Sequence, residues 1–257
     1  METSLFGLES RVVIVTGGGR GIGRTYSEAL GVVGAKVIVA DIYFESAEEV
    51  AATIVAKGGE ALAIAVDISN EEQTLEMARK SKECFGKIDG LVNNASLMSA
   101  LPRQPWDRIE IEEWDRVMAV DLRGLFLCCR AVVPVMSETR SGRIVNISST
   151  RVFEGTPNRL HYTTAKAGVI GFTRALAREV GDLGIGVNVV APGLTQSDTQ
   201  VASSEKGYLN DDYNQGRVFK RPQIPEDLVG AVLFLLSGAS EFMTGQLLNV
   251  DGGRSMY

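Results

Sequence analysis

The sequence contains little of what metal centres and disulfides require. Its 257 residues include one histidine, His161, and three cysteines, Cys84, Cys128 and Cys129. No group of these residues has the spacing of a zinc site, so no catalytic metal is expected. Two of the three thiols are adjacent in an apolar run, and we expect the thiols to be reduced and buried.

Long apolar runs and an excess of basic residues are also missing. No stretch reaches the roughly 18 uninterrupted apolar residues of a membrane-spanning helix. Residues 1–5 lack a basic region followed by an apolar segment, so no signal peptide is expected. The formal charge of −6 disfavours nucleic acid and anionic membranes as partners. We therefore expect a soluble cytoplasmic protein with a small-molecule substrate and neither a nucleic-acid nor a membrane partner.

Short apolar runs alternate with helical patterns along the whole chain. The runs are nearly continuous in Val, Ile, Leu and Ala, as in strands that are buried on both faces. Such alternation implies right-handed crossovers between parallel strands. The sequence predicts one α/β domain over 1–257, a doubly wound, Rossmann-like parallel sheet with helices on both faces. The expected strands are 12–15, 36–40, 61–66, 88–92, 143–147, 185–190 and 246–250, and the expected helices are 22–34, 45–57, 70–85, 112–139, 162–181 and 225–237.

Two segments, 96–111 and 194–224, fit no regular element. Both follow predicted strands, and ligands of doubly wound sheets bind at the carboxyl ends of the strands. The second segment is long for an irregular loop, so it is predicted to be a substrate loop with some helix of its own.

A glycine-rich turn, 17–23, joins the first strand to the first helix. Glycine lets the backbone approach a pyrophosphate, and the helix N-terminus offers N–H groups to the phosphates. Asp41 ends the second strand, where an acid hydrogen-bonds a ribose 2′-OH and repels a 2′-phosphate. These features predict a dinucleotide site that favours NAD, with Arg20 as a group that could instead reach the 2′-phosphate of NADP. The cofactor-binding candidates here are Gly17, Arg20, Gly21, Ile22, Gly23 and Asp41.

Tyr162 and Lys166 stand four residues apart and share a face of the predicted helix. A lysine ammonium beside a phenol stabilises the phenolate, and such a tyrosine can exchange a proton with an alcohol or carbonyl oxygen. The neighbouring His161 invites comparison with a hydrolase triad, but no Gly-x-Ser-x-Gly motif surrounds Ser149. We expect His161 at the rim of the site, and the pair with the glycine turn indicates hydride-transfer chemistry.

Over essentially its whole length, the chain resembles the short-chain dehydrogenase/reductase family. The resemblance rests on the turn 16–23, on Asn-Asn-Ala at 93–95, on the Tyr-x-x-x-Lys pair, on Pro-Gly at 192–193 and on Asp-Gly-Gly at 251–253. It implies that Tyr162 is the general acid/base and that Lys166 holds the nicotinamide ribose. It also implies that Ser149 hydrogen-bonds the substrate oxygen, with Ser148 as the alternative if the strand register differs by one. Cofactor-binding residues implied in addition are Asp67, Ile68, Asn94, Tyr162, Lys166, Gly193 and Thr195.

Two residues depart from the family pattern. Ser96 stands where glycine is usual, and it would be strained if the backbone there needed a positive φ. Asp121 stands where the family has an asparagine in a proton relay to the lysine. An ionised aspartate accepts hydrogen bonds but donates none, and near Lys166 it would favour the charged amine. We include Asp121 among the catalytic candidates and expect Asp121→Asn to retain substantial activity with a shifted pH profile.

These motifs predict an NAD-dependent oxidoreductase that acts on a secondary alcohol or its ketone. Two alternatives remain open: an NADPH-dependent 3-oxoacyl (acyl-carrier-protein) reductase, and a catalytically silent NAD-binding protein of the same fold. Three arginines could bind a substrate carboxylate, although we expect solvated surface positions for Arg151, Arg159 and Arg217. The resemblance implies a homotetramer that pairs 112–139, 162–181 and the C-terminal segment between subunits.

Overall fold

The computed structural model describes residues 6–199 and 211–256. Within them, seven strands form one parallel sheet in the order β3-β2-β1-β4-β5-β6-β7. Every residue of β1 and β6 is buried, because helices cover both faces of the sheet. The strands are β1 (Val12–Thr16), β2 (Lys36–Asp41), β3 (Glu60–Ala65), β4 (Gly90–Asn93), β5 (Gly142–Ile147), β6 (Ile185–Pro192) and β7 (Leu247–Val250).

Helices connect the strands and lie on both sides of the sheet. Helix α3 shows how their ends are defined: the Asn70 side chain accepts the Gln73 N–H at 3.1 Å, and Gly86 ends the helix at φ 80°. The helices are α1 (Gly21–Val32), α2 (Phe44–Ala56), α3 (Glu71–Phe85), α4 (Ile111–Met118), α5 (Leu125–Glu138), α6 (Arg151–Glu154), α7 (Leu160–Val180), α8 (Asp211–Gln215) and α9 (Glu226–Leu236).

Successive residues of β1 enter two separate apolar cores. Val13 and Val15 pack in a cluster with side chains of α1, α2 and α9. Val12 and Ile14 pack on the opposite face with side chains of α3, α5 and α7. This alternation follows from the two-residue period of a strand, and it confirms the predicted doubly wound fold with helices on both faces.

The predicted helix 112–139 is not continuous. It divides into α4 and α5 around a π-helical turn, Ala119–Gly124, which carries Asp121. A π turn widens the helix by one residue and often lies at a functional site. The prediction was wrong here because an apolar period of about 3.6 residues does not reveal a local change of hydrogen-bond register.

In their described residues, the two segments predicted to be irregular contain short helical pieces. Residues 96–111 hold two 3₁₀ turns, Met98–Ala100 and Trp106–Arg108. Of the predicted substrate loop 194–224, residues 200–210 lie outside the described residues, and α8 falls within the remainder. None of the helices within the two described ranges combines the length and apolar composition needed to cross a membrane.

Chain connections reverse direction between β1 and β4, which are neighbours in the centre of the sheet. A crevice opens at such a switch point, because the helices that follow the two strands lie on opposite faces. The glycine turn after β1 and the loop after β4 therefore meet at the carboxyl edge of the sheet.

Candidate active site

The glycine turn is shaped by steric contacts that only glycine tolerates. Gly17 has φ +62°, and a Cβ there would lie 2.9 Å from the Ala95 Cα. A Cβ on Gly23 would lie 2.0 Å from the Gly17 carbonyl oxygen. Helix α1 begins after Arg20 without a side-chain cap, and its first three residues, 21–23, line the pocket. A close backbone cradle at an uncapped helix N-terminus fits a dinucleotide pyrophosphate.

Asn94 fastens this turn to the loop after β4. Its Nδ2 donates to the carbonyl oxygens of Thr16 at 3.0 Å and Gly17 at 3.2 Å. Its backbone N–H donates to the Thr16 Oγ1 at 3.0 Å. Asn94 thus stabilises the glycine turn, and both Asn94 and the turn line the pocket.

One acidic and one basic group lie together at the end of β2. The buried Asp41 carboxylate accepts the N–H of Gly19 at 3.0 Å and that of Tyr43 at 3.1 Å. The Arg20 guanidinium lies 3.9 Å from the centroid of the Tyr43 ring. Tyr43 was not among the predicted cofactor-binding residues, although an aromatic residue two positions after Asp41 could have indicated a contact at this edge. The edge that would face an adenosine ribose therefore carries opposite charges.

Asp67 and Ile68 follow β3 and line the same pocket as the glycine turn and Asp41. One Asp67 carboxylate oxygen accepts both the N–H of Ser69 at 2.9 Å and its hydroxyl at 2.7 Å. Ile68 is buried, and both residues line the pocket. An apolar floor beside a fixed carboxylate suits a purine ring with an exocyclic amine.

Gly193 and Thr195 close the pocket after β6. The Gly193 N–H donates to the Val250 carbonyl oxygen at 3.0 Å, and the Thr195 hydroxyl donates to the Gly193 carbonyl oxygen at 3.0 Å. A Cβ on Gly193 would approach the Asp251 side chain within 2.8 Å. The strand end is therefore held tightly where a nicotinamide would lie.

Tyr162, Lys166 and Ser149 line the same pocket as the glycine turn. Their exposed fractions are 6%, 3% and 8%. The Lys166 Nζ donates to the Ile147 carbonyl oxygen at 3.1 Å and lies 5.6 Å from the centroid of the Tyr162 ring. The structure thus brings together three predicted catalytic side chains from the end of β5 and the start of α7.

Ser148 and Ser149 have different surroundings. The Ser148 hydroxyl donates to the Lys166 carbonyl oxygen at 2.7 Å, so it is used to hold α7. The Ser149 Oγ accepts the backbone N–H of Arg151 at 3.3 Å, which leaves the hydroxyl proton available for a substrate oxygen. Ser149 remains the better candidate for binding that oxygen.

Asp121, from the π-helical turn, lies at the base of this group. It is 2% exposed, and its Oδ2 is 3.5 Å from the Lys166 Nζ. Ser96 also reaches this carboxylate through its hydroxyl. Ser96 is not among the described non-glycine residues with positive φ, so the strain considered for serine at this position does not arise.

His161 does not lie at the rim of the site, so that expectation was wrong. Its side chain is fully buried, and its Nε2 is 2.8 Å from Glu113 Oε1. Gln104 donates to the same carboxylate oxygen at 2.7 Å. The histidine can be buried because a carboxylate on α4 meets its ring nitrogen, and a partner so distant in sequence gave no readable signal.

The expectation of solvated surface positions for three arginines was also wrong. Arg151, Arg159 and Arg217 are 9%, 1% and 2% exposed. Arg159 donates to the Leu101 carbonyl oxygen at 2.7 Å, and Arg217 donates to that of Arg221 at 3.0 Å. Backbone carbonyl groups compensate part of the cost of burying a guanidinium.

Further pocket residues come from the two segments predicted to be irregular, 96–111 and 194–224, and from the residue that precedes α7. Arg103, Arg159 and Tyr213 all line the substrate end. Burial, followed by the charge of Glu154, raises the pKa of Tyr213 to about 12, and its hydroxyl donates to Glu154 Oε1 at 3.2 Å. Tyr213 belongs to α8 and links the substrate loop to α6.

The similarity to known proteins, in sequence and in structure, covers nearly the whole chain. A family model described as enoyl-(acyl carrier protein) reductase matches residues 17–255. A 3-oxoacyl-[acyl-carrier-protein] reductase from Synechocystis is 37% identical over 254 residues, 97% of this chain and 99% of that protein. The BbsD subunit of (2S)-[(R)-hydroxy(phenyl)methyl]succinyl-CoA dehydrogenase from Thauera aromatica is 38% identical over 256 residues, 98% of this chain and 99% of that one. A solved structure described as a short-chain alcohol dehydrogenase from Sinorhizobium meliloti 1021 superimposes with a TM-score of 0.90 at 32% identity, over 96% and 97% of the two chains.

Proposed function

The chain belongs to the short-chain dehydrogenase/reductase family, and we propose that it interconverts a secondary alcohol and its ketone with NAD. The family assignment makes it an oxidoreductase that binds a nicotinamide dinucleotide. The observation that carries the proposal is the burial of Tyr162, Lys166 and Ser149 in one pocket with the glycine turn. A protein that only bound the dinucleotide could use Tyr162 and Lys166 to hold the ribose, but it would have no need of the Ser149 hydroxyl in the same pocket.

Residues of the described pocket are suited to hold the cofactor along its length. The turn 17–23 would bind the pyrophosphate, Asp41 the adenosine ribose, and Thr195 the nicotinamide end. When bound, the nicotinamide accepts or supplies the hydride. The protein's own contribution is to fix the substrate carbon beside it and to move one proton.

Tyr162 would take the hydroxyl proton from an alcohol, or give a proton to a ketone oxygen. The Lys166 ammonium, held by Ile147, stabilises the phenolate form that accepts this proton. Ser149 would donate a hydrogen bond to the same substrate oxygen and stabilise the negative charge that develops on it. Proton transfer by a positioned side chain typically contributes about 10²–10⁴-fold to the rate.

NAD is proposed over NADP because the Asp41 carboxylate is fixed by two backbone N–H groups. Such a carboxylate would accept a hydrogen bond from a 2′-hydroxyl and repel a 2′-phosphate. Arg20 opposes this preference, but its guanidinium stacks on the Tyr43 ring rather than standing free as a phosphate ligand.

A second candidate is an NADPH-dependent 3-oxoacyl (acyl-carrier-protein) reductase. It is supported by the Synechocystis relative of that name at 37% identity and by Arg20 at the ribose edge. The Thauera relative is named for a coenzyme A thioester that carries a carboxylate. Arginines 103, 151 and 159 at the substrate end make carboxylated and thioester substrates worth testing here.

The test is to measure NADH formation by the purified protein with a panel of secondary alcohols. The panel contains aliphatic, cyclic, aromatic and carboxylated members, and each is repeated with NADP. Reduction of acetoacetyl-coenzyme A with NADPH or NADH tests the second candidate. We expect turnover with NAD and at least one alcohol class. Turnover confined to the thioester with NADPH would favour the acyl-carrier-protein reductase, and tight NAD binding without any turnover would favour the silent binder.

A homotetramer is proposed for the assembled protein. Helix α5 buries one side within the subunit, yet it leaves Phe126 45% exposed. Phe219 and Met256 are exposed near the C-terminal end, where the family resemblance implies a second interface. Light scattering should give a mass of about four chains of 27.6 kDa, and a mass of one chain would reject this assembly.

A further inference from the structure

The Asp121 carboxylate accepts two hydrogen bonds and forms one ion pair. Its Oδ1 accepts the backbone N–H of Leu97 at 3.0 Å. Its Oδ2 accepts the Ser96 hydroxyl at 2.5 Å and lies 3.5 Å from the Lys166 Nζ. A buried carboxylate depends on such donors, because water no longer solvates its charge. The direction of Oδ2 is therefore set jointly by Ser96 and Lys166.

Lys166 in turn has two partners. Its Nζ donates to the Ile147 carbonyl oxygen at 3.1 Å and has a longer contact, 3.5 Å, with the Asp121 Oδ2. The lysine is 3% exposed, so solvent does not compete strongly for the ammonium. The position of the ammonium, 5.6 Å from the centroid of the Tyr162 ring, consequently depends on the balance between its contacts with Ile147 and Asp121.

The Ser96 hydroxyl bears on how closely the Asp121 carboxylate approaches the Lys166 ammonium. Its hydroxyl occupies part of the accepting capacity of Oδ2, and the separation of 3.5 Å between Oδ2 and Nζ exceeds a close charged hydrogen bond of about 2.8 Å. Without the hydroxyl, Oδ2 would be free to approach the ammonium. Lys166 would then be displaced toward the carboxylate, and its ammonium would stabilise a Tyr162 phenolate less.

We propose that Ser96 is a positioning residue, whose hydroxyl fixes the Asp121 carboxylate and thereby the place of the Lys166 ammonium beside Tyr162. The inference rests on the proposed function for its catalytic consequence, but the placement itself is a property of the protein without cofactor. Lys166 is the charged group that meets Asp121, from α7, while Ser96 and Leu97 contribute neutral donors from the loop after β4.

The first test uses the protein without cofactor or substrate. The ¹³Cε NMR signal of Lys166, assigned with Lys166→Met in lysine-labelled protein, reports the surroundings of the ammonium. Ser96→Ala should displace this signal, and Ser96→Thr, which keeps a hydroxyl, should restore it. Ser81→Ala is the matched control, because it removes a buried serine hydroxyl hydrogen bond on α3, 2.7 Å long to the Met77 carbonyl oxygen. An unchanged signal in Ser96→Ala would overturn the proposal, whatever the reaction proves to be.

The second test compares pH profiles of kcat/KM for whichever alcohol the protein oxidises. Ser96→Ala should move the acidic limb of the profile upward by roughly half a pH unit or more, because a less compensated carboxylate disfavours the phenolate. In Asp121→Asn, adding Ser96→Ala should produce no further shift, since the two residues act as one unit. Equal shifts of Ser96→Ala in both backgrounds would contradict positioning through Asp121. Absence of turnover in the wild-type protein would count against the proposed function and leave the NMR result to decide the role of Ser96.

Discussion

Asp41→Asn is the substitution that most sharply separates the two candidate cofactors. The carboxylate is 4% exposed and is held by the N–H groups of Gly19 and Tyr43. An amide oxygen can accept from one of these groups, so we expect the turn to persist. What the substitution removes is the negative charge at the place where a 2′-phosphate would bind.

The size of the effect follows from Coulomb's law. Two unit charges about 5 Å apart interact by roughly 3 kcal/mol at an effective dielectric constant of about 20. A phosphate carries more than one charge at neutral pH, while the Arg20 guanidinium offsets part of the repulsion. A net discrimination near 3 kcal/mol corresponds to about a hundredfold in Kd. Wild-type protein should therefore bind NAD about a hundredfold more tightly than NADP, and Asp41→Asn should remove most of that ratio.

Isothermal titration calorimetry of both cofactors measures this ratio directly. Arg20→Met serves as the opposing control: it should weaken NADP binding further and leave NAD binding nearly unchanged. The reasoning is refuted if the wild-type protein prefers NADP, or if the ratio of the two Kd values is the same in Asp41→Asn. Tighter binding of NADP in the wild type would mean that Arg20, rather than Asp41, determines the cofactor preference.

Two further substitutions test the cradle and the C-terminal turn. Gly23→Ala should lower NAD affinity by more than a hundredfold, because the added Cβ would meet the Gly17 carbonyl oxygen at 2.0 Å; calorimetry checks the affinity, and circular dichroism checks that the fold is intact. Burial opposes ionisation of Asp251, but hydrogen bonds led by Ser255 outweigh it and hold the pKa of Asp251 below its ordinary value of 3.8. The ionised group therefore stabilises the fold above that value, and this stabilisation is lost as the pH falls below it. The advantage of wild type over Asp251→Asn in urea unfolding should be smaller at pH 3.5 than at pH 7, and a constant difference would refute this.

The sheet could be predicted because most of its strands are short runs rich in Val, Ile, Leu and Ala, as in β1 and β6, where every residue is buried. The predicted strand 88–92 nevertheless begins two residues late, as β4, Gly90–Asn93. The Asp89 carboxylate accepts the Val12 N–H at 2.8 Å and so takes a place that a strand carbonyl group would otherwise fill. A side chain that substitutes for the backbone cannot be recognised from hydrophobic period alone.

Site residues were predictable where the chemistry demands a residue type at a fixed spacing. The glycine turn and the Tyr162–Lys166 pair are of this kind, and the structure places both in one pocket. The burial of His161 was not predictable, because it depends on Glu113, 48 positions earlier. The contact between Ser96 and Asp121 was likewise hidden, although each residue alone departs from the family pattern.

The most direct test of the central claim is Tyr162→Phe, compared with the wild-type protein for turnover and for NAD binding. Tyr26→Phe is the matched control, because this tyrosine is buried in α1 outside the pocket and burial alone raises its pKa. We predict that Tyr162→Phe loses at least about a hundredfold in kcat, as expected for loss of a general acid/base, while its Kd for NAD changes by no more than a few-fold. Turnover at the wild-type rate in Tyr162→Phe would contradict the account.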